Sequence, residues 1–260
     1  MKLAEVIENL EGFCPGSFAQ DWDNVGLQVG SGGQEIQVLM LALDASGDVI
    51  RQAEEKGADL LLTHHPLLFK GVRHVTESDH VGKRILRLAK RGIACYAMHT
   101  NFDVLGMADA AAEKLKLVDA EVLEVTYEDD VSREGLGRIG KLPTYMTLEE
   151  LAAYVRDVFS LPKVRVYGDR KQPIVTAALL PGSGGGEIDL AVKGGADVMI
   201  TGDISHHTGL DAVEKGIAVI DATHYGLEKL FVPYMEDYLH RELPHLTVLK
   251  AEETEPFWEQ

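Results

Sequence analysis

Two seven-residue stretches of the chain nearly repeat one another. Gly57-Ala-Asp-Leu-Leu-Leu-Thr63 is matched by Gly195-Ala-Asp-Val-Met-Ile-Thr201. Downstream, Arg91-Gly-Ile-Ala94 is matched by Lys215-Gly-Ile-Ala218. Each of these precedes a histidine with an acid four positions later, His99 with Asp103 and His224 with Glu228. A short apolar run bounded by turn residues suits a strand buried on both faces, as in a parallel sheet covered by helices. Repetition of the whole series predicts an α/β fold of two similar α/β lobes related by an internal repeat. Two such lobes facing each other bring equivalent strand ends together, so the expected metal site lies in the cleft between them.

The rest of the chain fits that frame. Residues 2–10 carry a helical apolar period, Leu3, Val6, Ile7 and Leu10, stopped at Cys14-Pro15-Gly16. A strand over 38–43, a helix over 48–56 ending at Gly57, the strand at 60–62, a helix over 80–91 ending at Gly92, a strand over 93–98 and a helix over 108–116 follow in order. Alternation of this kind implies a parallel sheet with right-handed crossovers. The middle segment, 126–170, differs: Gly135-Leu-Gly-Arg-Ile-Gly-Lys-Leu142 reads as a strand in close contact with other backbone. Thr147 with Glu150 forms a capping box for a helix to Phe159, and a short strand over 164–167 follows. Strands over 174–180, 198–201 and 217–220 and helices over 187–193, 210–215 and 228–239 complete the pattern, before an acidic tail over 251–260 that includes Trp258. The expected division is 1–125 for the first lobe and 126–260 for the second.

The chemistry gathers where the apolar runs stop. His64 and His65 follow Leu60–Leu62 directly, and Pro66 biases His65 toward an extended backbone. In open α/β sheets ligands bind beyond the C-terminal ends of the strands. His224 and Glu228 share one face if a helix begins there. Three strand ends thus carry His, Asp and Glu, and imidazoles mixed with carboxylates are what a divalent transition-metal site requires. The lobes are not equal, since Thr201-Gly202-Asp203 stands where the first has Thr63-His64-His65. His99 reads equally as a group orienting Asp103 and as a buried, satisfied histidine. His207 reads equally as an acid–base group and as a helix-start residue beside His206. Asp44 and Asp203 read as strand-end residues supporting the cleft, and Asn24 as pocket lining or a turn residue. Gly182–Gly186 lacks the Gly-Lys-Ser/Thr ending of a P-loop and reads as a plain strand-to-helix loop.

A net charge of −17 argues against tight binding to a nucleic-acid backbone, though not against a small nucleotide beside bound cations. No apolar run is long enough to span a bilayer, so no membrane role is expected. The N-terminus has no secretory pattern, and Cys14 and Cys95 have no disulfide framework; both fit reduced thiols in a cytoplasmic protein.

Assembled in order, Trp22-Asp-Asn-Val-Gly-Leu-Gln-Val-Gly30, Leu62-Thr-His-His-Pro-Leu-Leu-Phe69, His99-Thr-Asn-Phe-Asp103, Gly135-Leu-Gly-Arg138, Gly182-Ser-Gly184, Thr201-Gly-Asp203 and His224-Tyr-Gly-Leu-Glu228 resemble the Ngg-interacting-factor-three-like dinuclear metal-centre family, also called GTP cyclohydrolase 1 type 2 homologues. The resemblance covers nearly the whole chain. It implies two divalent ions per subunit, held by His64, His65, Asp103, His224 and Glu228, with Glu228 bridging; such mixed nitrogen and oxygen donors suit zinc, iron, manganese or nickel. It also implies a homohexameric ring, a trimer of dimers, and hydrolysis of a small-molecule substrate, with His207 and His99 as catalytic candidates. The cyclohydrolase name implies opening of a purine imidazole ring with release of formate. Leu227 departs from the Ser or Thr common at its place, and the loop after Asp103 is shorter than in many members. The alternative reading is a non-catalytic hexameric metal-binding scaffold or a regulatory interaction protein.

Overall fold

The computed structural model describes residues 1–257. The chain forms two compact units, one from Met1–Phe102 together with the segment from Phe231 onward, the other from Asp103–Leu230. This division differs from the expected break at 125/126. Residues 103–125 group with the second unit, because the helix Ala108–Leu115 packs on its strands, and the C-terminal segment returns to the first. Among the described residues no helix is long and apolar enough to cross a membrane.

The first unit holds a five-stranded sheet in the order Gly26–Val29, Ala94–Ala97, Leu60–Thr63, Val38–Ala42, Thr247–Lys250. Its three inner strands run parallel, in the register Ala42↔Thr63↔Ala97. Leu60–Thr63 lies at the centre and is wholly buried, which is why its residues run apolar without alternation. Gly26–Val29 pairs antiparallel with Ala94–Ala97, bringing the chain before the one beside the chain after the other. Helix ends follow local chemistry: Ser46 Oγ accepts from Val49 N, Asp79 accepts from Gly82 N, and Gly92 ends the helix His80–Arg91 in the left-handed region at φ +66°.

The second unit holds a six-stranded sheet in the order Val118–Glu128, Arg133–Thr147, Pro173–Ser183, Val198–Gly202, Ala218–Asp221, Arg165–Tyr167. Pro173–Ser183, Val198–Gly202 and Ala218–Asp221 run parallel; each flanking strand pairs antiparallel with its neighbour. The long strand Arg133–Thr147 contains the glycine-rich stretch. A Cβ on Gly135 would stand 1.8 Å from the carbonyl oxygen of Glu124 on the neighbouring strand, so only glycine fits. Thr147 and Glu150 form the expected reciprocal cap.

The repeat has a physical counterpart. Asp59 Oδ2 accepts from Gln37 N at 2.8 Å and Val38 N at 2.9 Å; Asp197 Oδ2 accepts from Val175 N at 2.8 Å and Thr176 N at 2.9 Å. Each carboxylate caps the start of the preceding parallel strand. Gly57 and Gly195 both take positive φ, +68° and +76°, turning each helix into its strand.

Several elements differ from expectation. The expected helix over 228–239 is two helices, His224–Glu228 and Phe231–Glu242. Pro233 has no N–H to donate and is tolerated only in a first turn, so a new helix starts around it. The helix expected over 210–215 begins at His206, where Ser205 Oγ accepts from Thr208 N. Strands Val118–Glu128 and Thr247–Lys250 lie where the sequence gives no strong apolar pattern. The acidic tail is tied down at Glu253, whose carboxylate accepts from Leu43 N and Asp44 N; Trp258 lies outside the described residues.

Asp59→Ala and Asp197→Ala each orphan two backbone donors and should destabilise the protein by about 1–3 kcal/mol in urea unfolding. A surface Asp130→Ala control should be near neutral. Cys95 is fully buried, and burial pushes its thiol up to about 12 despite a contact with Thr63. A thiol reagent at pH 8 should therefore leave Cys95 unmodified in native protein and label it after denaturation.

Candidate metal centre

In the first unit the backbone stays pinned past the end of the central strand. His64 N donates to Ala42 O and His65 N to Leu43 O, while Thr63 Oγ1 donates to His65 O at 2.8 Å. The two adjacent rings therefore have fixed positions, with centroids 4.9 Å apart. His64 is wholly buried, and its Nδ1 lies 2.8 Å from the carbonyl oxygen of Met98. A carbonyl only accepts, so Nδ1 carries the proton and Nε2 keeps its lone pair. His65 Nδ1 meets Asp44 Oδ1 at 3.1 Å, and His99 Nδ1 meets Asp23 Oδ1 at 2.9 Å. One nitrogen from each of His64, His65 and His99 lies within 4.8 Å of the others.

Asp23 is a residue of the candidate site that the sequence pattern does not reveal. It lies inside the quoted Trp22–Gly30 stretch, but its role comes from the antiparallel pairing that sets it beside the end of Ala94–Ala97. Its carboxylate also accepts from Thr100 N at 3.0 Å and Thr100 Oγ1 at 2.5 Å. Burial alone would push this carboxyl up; the hydrogen bonds from His99 and Thr100 outweigh burial and hold it at about 2. His99 is thus a positioned imidazole, and the carboxylate at its Nδ1 is Asp23.

In the second unit, Glu228 is nearly buried on the short helix His224–Glu228, and His224 Nε2 lies 2.9 Å from its Oε2. Thr223 Oγ1 caps this helix at Gly226 N. His224 Nδ1 meets Asp203 Oδ2 at 2.8 Å, and Asp203 adopts φ +58° to reach it. Carboxylate oxygens of Asp103 and Glu228 come within 4.8 Å of each other. Two glycines make room. A Cβ on Gly182 would lie 2.4 Å from Glu228 Oε1, and one on Gly202 would lie 2.5 Å from His224 N. Gly182, read from the sequence as part of a strand-to-helix loop, lies at the end of the strand Pro173–Ser183 and serves close approach to the acid. Asn24 Nδ2 donates to Leu68 O, a structural tie rather than a simple turn role. His206 and His207 sit exposed on the first turn of the helix His206–Glu214. Among the described residues neither joins a group of converging donors.

These residues fit a divalent ion. Four imidazoles, His64, His65, His99 and His224, each turn Nδ1 to an oxygen acceptor, the arrangement that fixes the tautomer of a metal-binding histidine. Mixed nitrogen and carboxylate donors match zinc, iron, manganese or nickel.

The Duf34/NIF3 (NGG1p interacting factor 3) family model matches residues 1–256. The chain belongs to this family. Among relatives of the Duf34/NIF3 chain is a GTP cyclohydrolase 1 type 2 homolog of Clostridium acetobutylicum, 37% identical over 230 residues, 88% of this chain and 85% of that protein. One of Lactococcus lactis subsp. lactis is 33% identical over 265 residues and covers 100% of both. Reduced HcgD from Methanocaldococcus jannaschii is a similar solved structure, with TM-score 0.84 and 33% identity over 97% of this chain and 98% of that one. A Bacillus cereus protein related to NIF3 shares the fold at TM-score 0.91 and 23% identity, covering 100% of this chain and 99% of that one.

Gly182→Ala combines strain at φ +79° with overlap at Glu228 and should cost about 1–3 kcal/mol. Gly186→Ala, with open space around it, should be near neutral in the same unfolding assay. Asp23 is depressed in the folded state, so its stabilisation is present above its ordinary pKa near 3.8 and is lost as pH falls through about 2. The stability gap between wild type and Asp23→Asn should therefore be large at pH 7 and shrink steadily toward pH 2.

Proposed function

We propose that this chain is a divalent-metal-dependent hydrolase in which His64, His65, Asp103, His224 and Glu228 would hold two ions. The observation that carries the reading is the shared orientation of the imidazoles, each held at Nδ1 by an oxygen. The combination of donors from both units in one centre rests on the internal repeat and the family resemblance. Bound divalent ions supply a water that is nucleophilic at neutral pH and positive charge for an oxygen that becomes anionic.

The chain's own groups have distinct parts. Met98 O, Asp44 and Asp203 keep the proton on Nδ1 of His64, His65 and His224, leaving Nε2 as the ligating atom. Gly182 leaves room for Glu228 Oε1, which any side chain there would strike. His99, backed by the ionised Asp23, is oriented to pass a proton at Nε2. His207, exposed at the start of its helix, is a second proposed proton carrier. The names of the relatives make GTP the first substrate to try, and a homohexameric ring belongs to the same proposal.

Metal content on tag-free protein, with mass in solution, tests the reading. About two ions per chain are expected, in a hexamer. His64→Ala with Glu228→Ala should lose the metal while circular dichroism stays native. Full occupancy in that variant would overturn the ligand assignment. Loaded wild type that turns over neither GTP nor other nucleotides, phosphoesters or amides would leave metal binding without hydrolysis. His99→Gln should lower turnover by about 10²–10⁴-fold, with metal content unchanged.

A further inference from the structure

Trp22 and Phe69 are large apolar side chains left in solvent, 61% and 52% exposed. Single exposed aromatics are ordinary. These two are joined: their ring centroids lie 5.8 Å apart, and each packs on the imidazole of His99, Trp22 at 5.9 Å and Phe69 at 5.8 Å. His99 in turn lies 5.2 Å from His64 and 5.4 Å from His65, ring to ring. The exposed aromatic surface is thus continuous with the imidazole group of the first unit.

The pair is also held in place. Asn24 Nδ2 donates to Leu68 O at 2.7 Å, Leu68 N donates to Gln28 Oε1 at 3.2 Å, and Gln28 Nε2 donates to Asn24 O at 2.8 Å. These bonds tie the stretch carrying Trp22 to the stretch carrying Phe69. Groups ordered before a ligand arrives lose little freedom when it binds, so such a surface is prepared for recognition. Lys70, Arg73 and His74 follow Phe69 in the same exposed loop, a basic run in a chain of net charge −17.

Building on the hydrolase reading above, we propose that Trp22 and Phe69 are the substrate-recognition platform of the imidazole site. They stack the planar nitrogen heterocycle of a nucleotide-like anion, and the Lys70–His74 loop supplies charge for its anionic group. Every base offers a π face to an aromatic side chain, and the stack adds affinity without a hydrogen-bond code. The platform therefore accepts a ring by its flatness, and leaves discrimination between rings to other contacts.

The chain has two tryptophans, so Trp258→Phe makes Trp22 the only one. Fluorescence of that protein is titrated with GMP and, separately, with ribose 5-phosphate. Metal content and solution mass are measured on the same preparation. GMP should quench Trp22 saturably and ribose 5-phosphate should not. Phe69→Ala in this background should weaken GMP by about 5–150-fold, the range of one base–aromatic stack, with metal content and mass unchanged. Equal responses to the two probes, no saturation, or unchanged GMP affinity in Phe69→Ala would overturn the platform. A change in solution mass with Phe69→Ala would overturn it too, by making the surface a contact between copies. Metal present with no GMP response rejects the platform alone. Saturable GMP quenching in protein that takes up no metal upholds the platform and rejects the hydrolase reading.

Discussion

An imidazole can give a metal ion only one lone pair, and it does so in a fixed direction only when its other nitrogen is held. In both units the imidazoles are held in that way. Met98 O, Asp44 and Asp23 hold three rings in the first unit, and Asp203 holds one in the second. Parallel strands make this economical. With Ala42, Thr63 and Ala97 in register, the residues just beyond them are neighbours, so His64 meets the Met98 carbonyl and His65 meets Asp44 without long side chains. The pairing of Thr201 with Asp221 does the same for Asp203 and His224.

The opposite ends of the parallel strands have a different task. There Asp59 and Asp197 gather backbone N–H groups, and a positive-φ glycine two residues earlier turns the chain. One end of each sheet is closed by carboxylate capping, and the other is left for chemistry. This explains why the duplicated heptapeptide keeps Gly, Asp and Thr and varies only its apolar residues. Gly, Asp and Thr each make a specific backbone connection, whereas Leu, Met, Val and Ile are interchangeable fillers of a buried layer.

Glycine shapes the candidate site as firmly as its imidazoles and carboxylates do. Gly182 and Gly202 sit where any side chain would strike Glu228 or the backbone of His224. Acidic surroundings tune what remains. Asp23 stays ionised against its own burial because His99 and Thr100 donate to it, so the ring it holds has a permanent negative partner.

The sequence by itself determined the pieces whose signals are local. Buried strands read as unbroken apolar runs, Thr147 with Glu150 announced a helix start, and Gly92 announced a helix end. The histidine and acid positions at strand ends were legible for the same reason, since a run that stops in His-His or Asp-Ala-Thr-His shows where the sheet gives out. Tertiary structure alone decided the rest. Val118–Glu128 and Thr247–Lys250 are strands because a neighbouring edge accepts them, not because their own residues alternate strongly. The unit boundary is set by packing, so the last segment of the chain belongs with the first. Asp23 became the partner of His99 through an antiparallel pairing between segments roughly seventy residues apart, and Trp22 the neighbour of Phe69 through the hydrogen bonds of Asn24 and Gln28 to Leu68. Such contacts are made by hydrogen-bond register across the sheet, and no spacing within one segment encodes it.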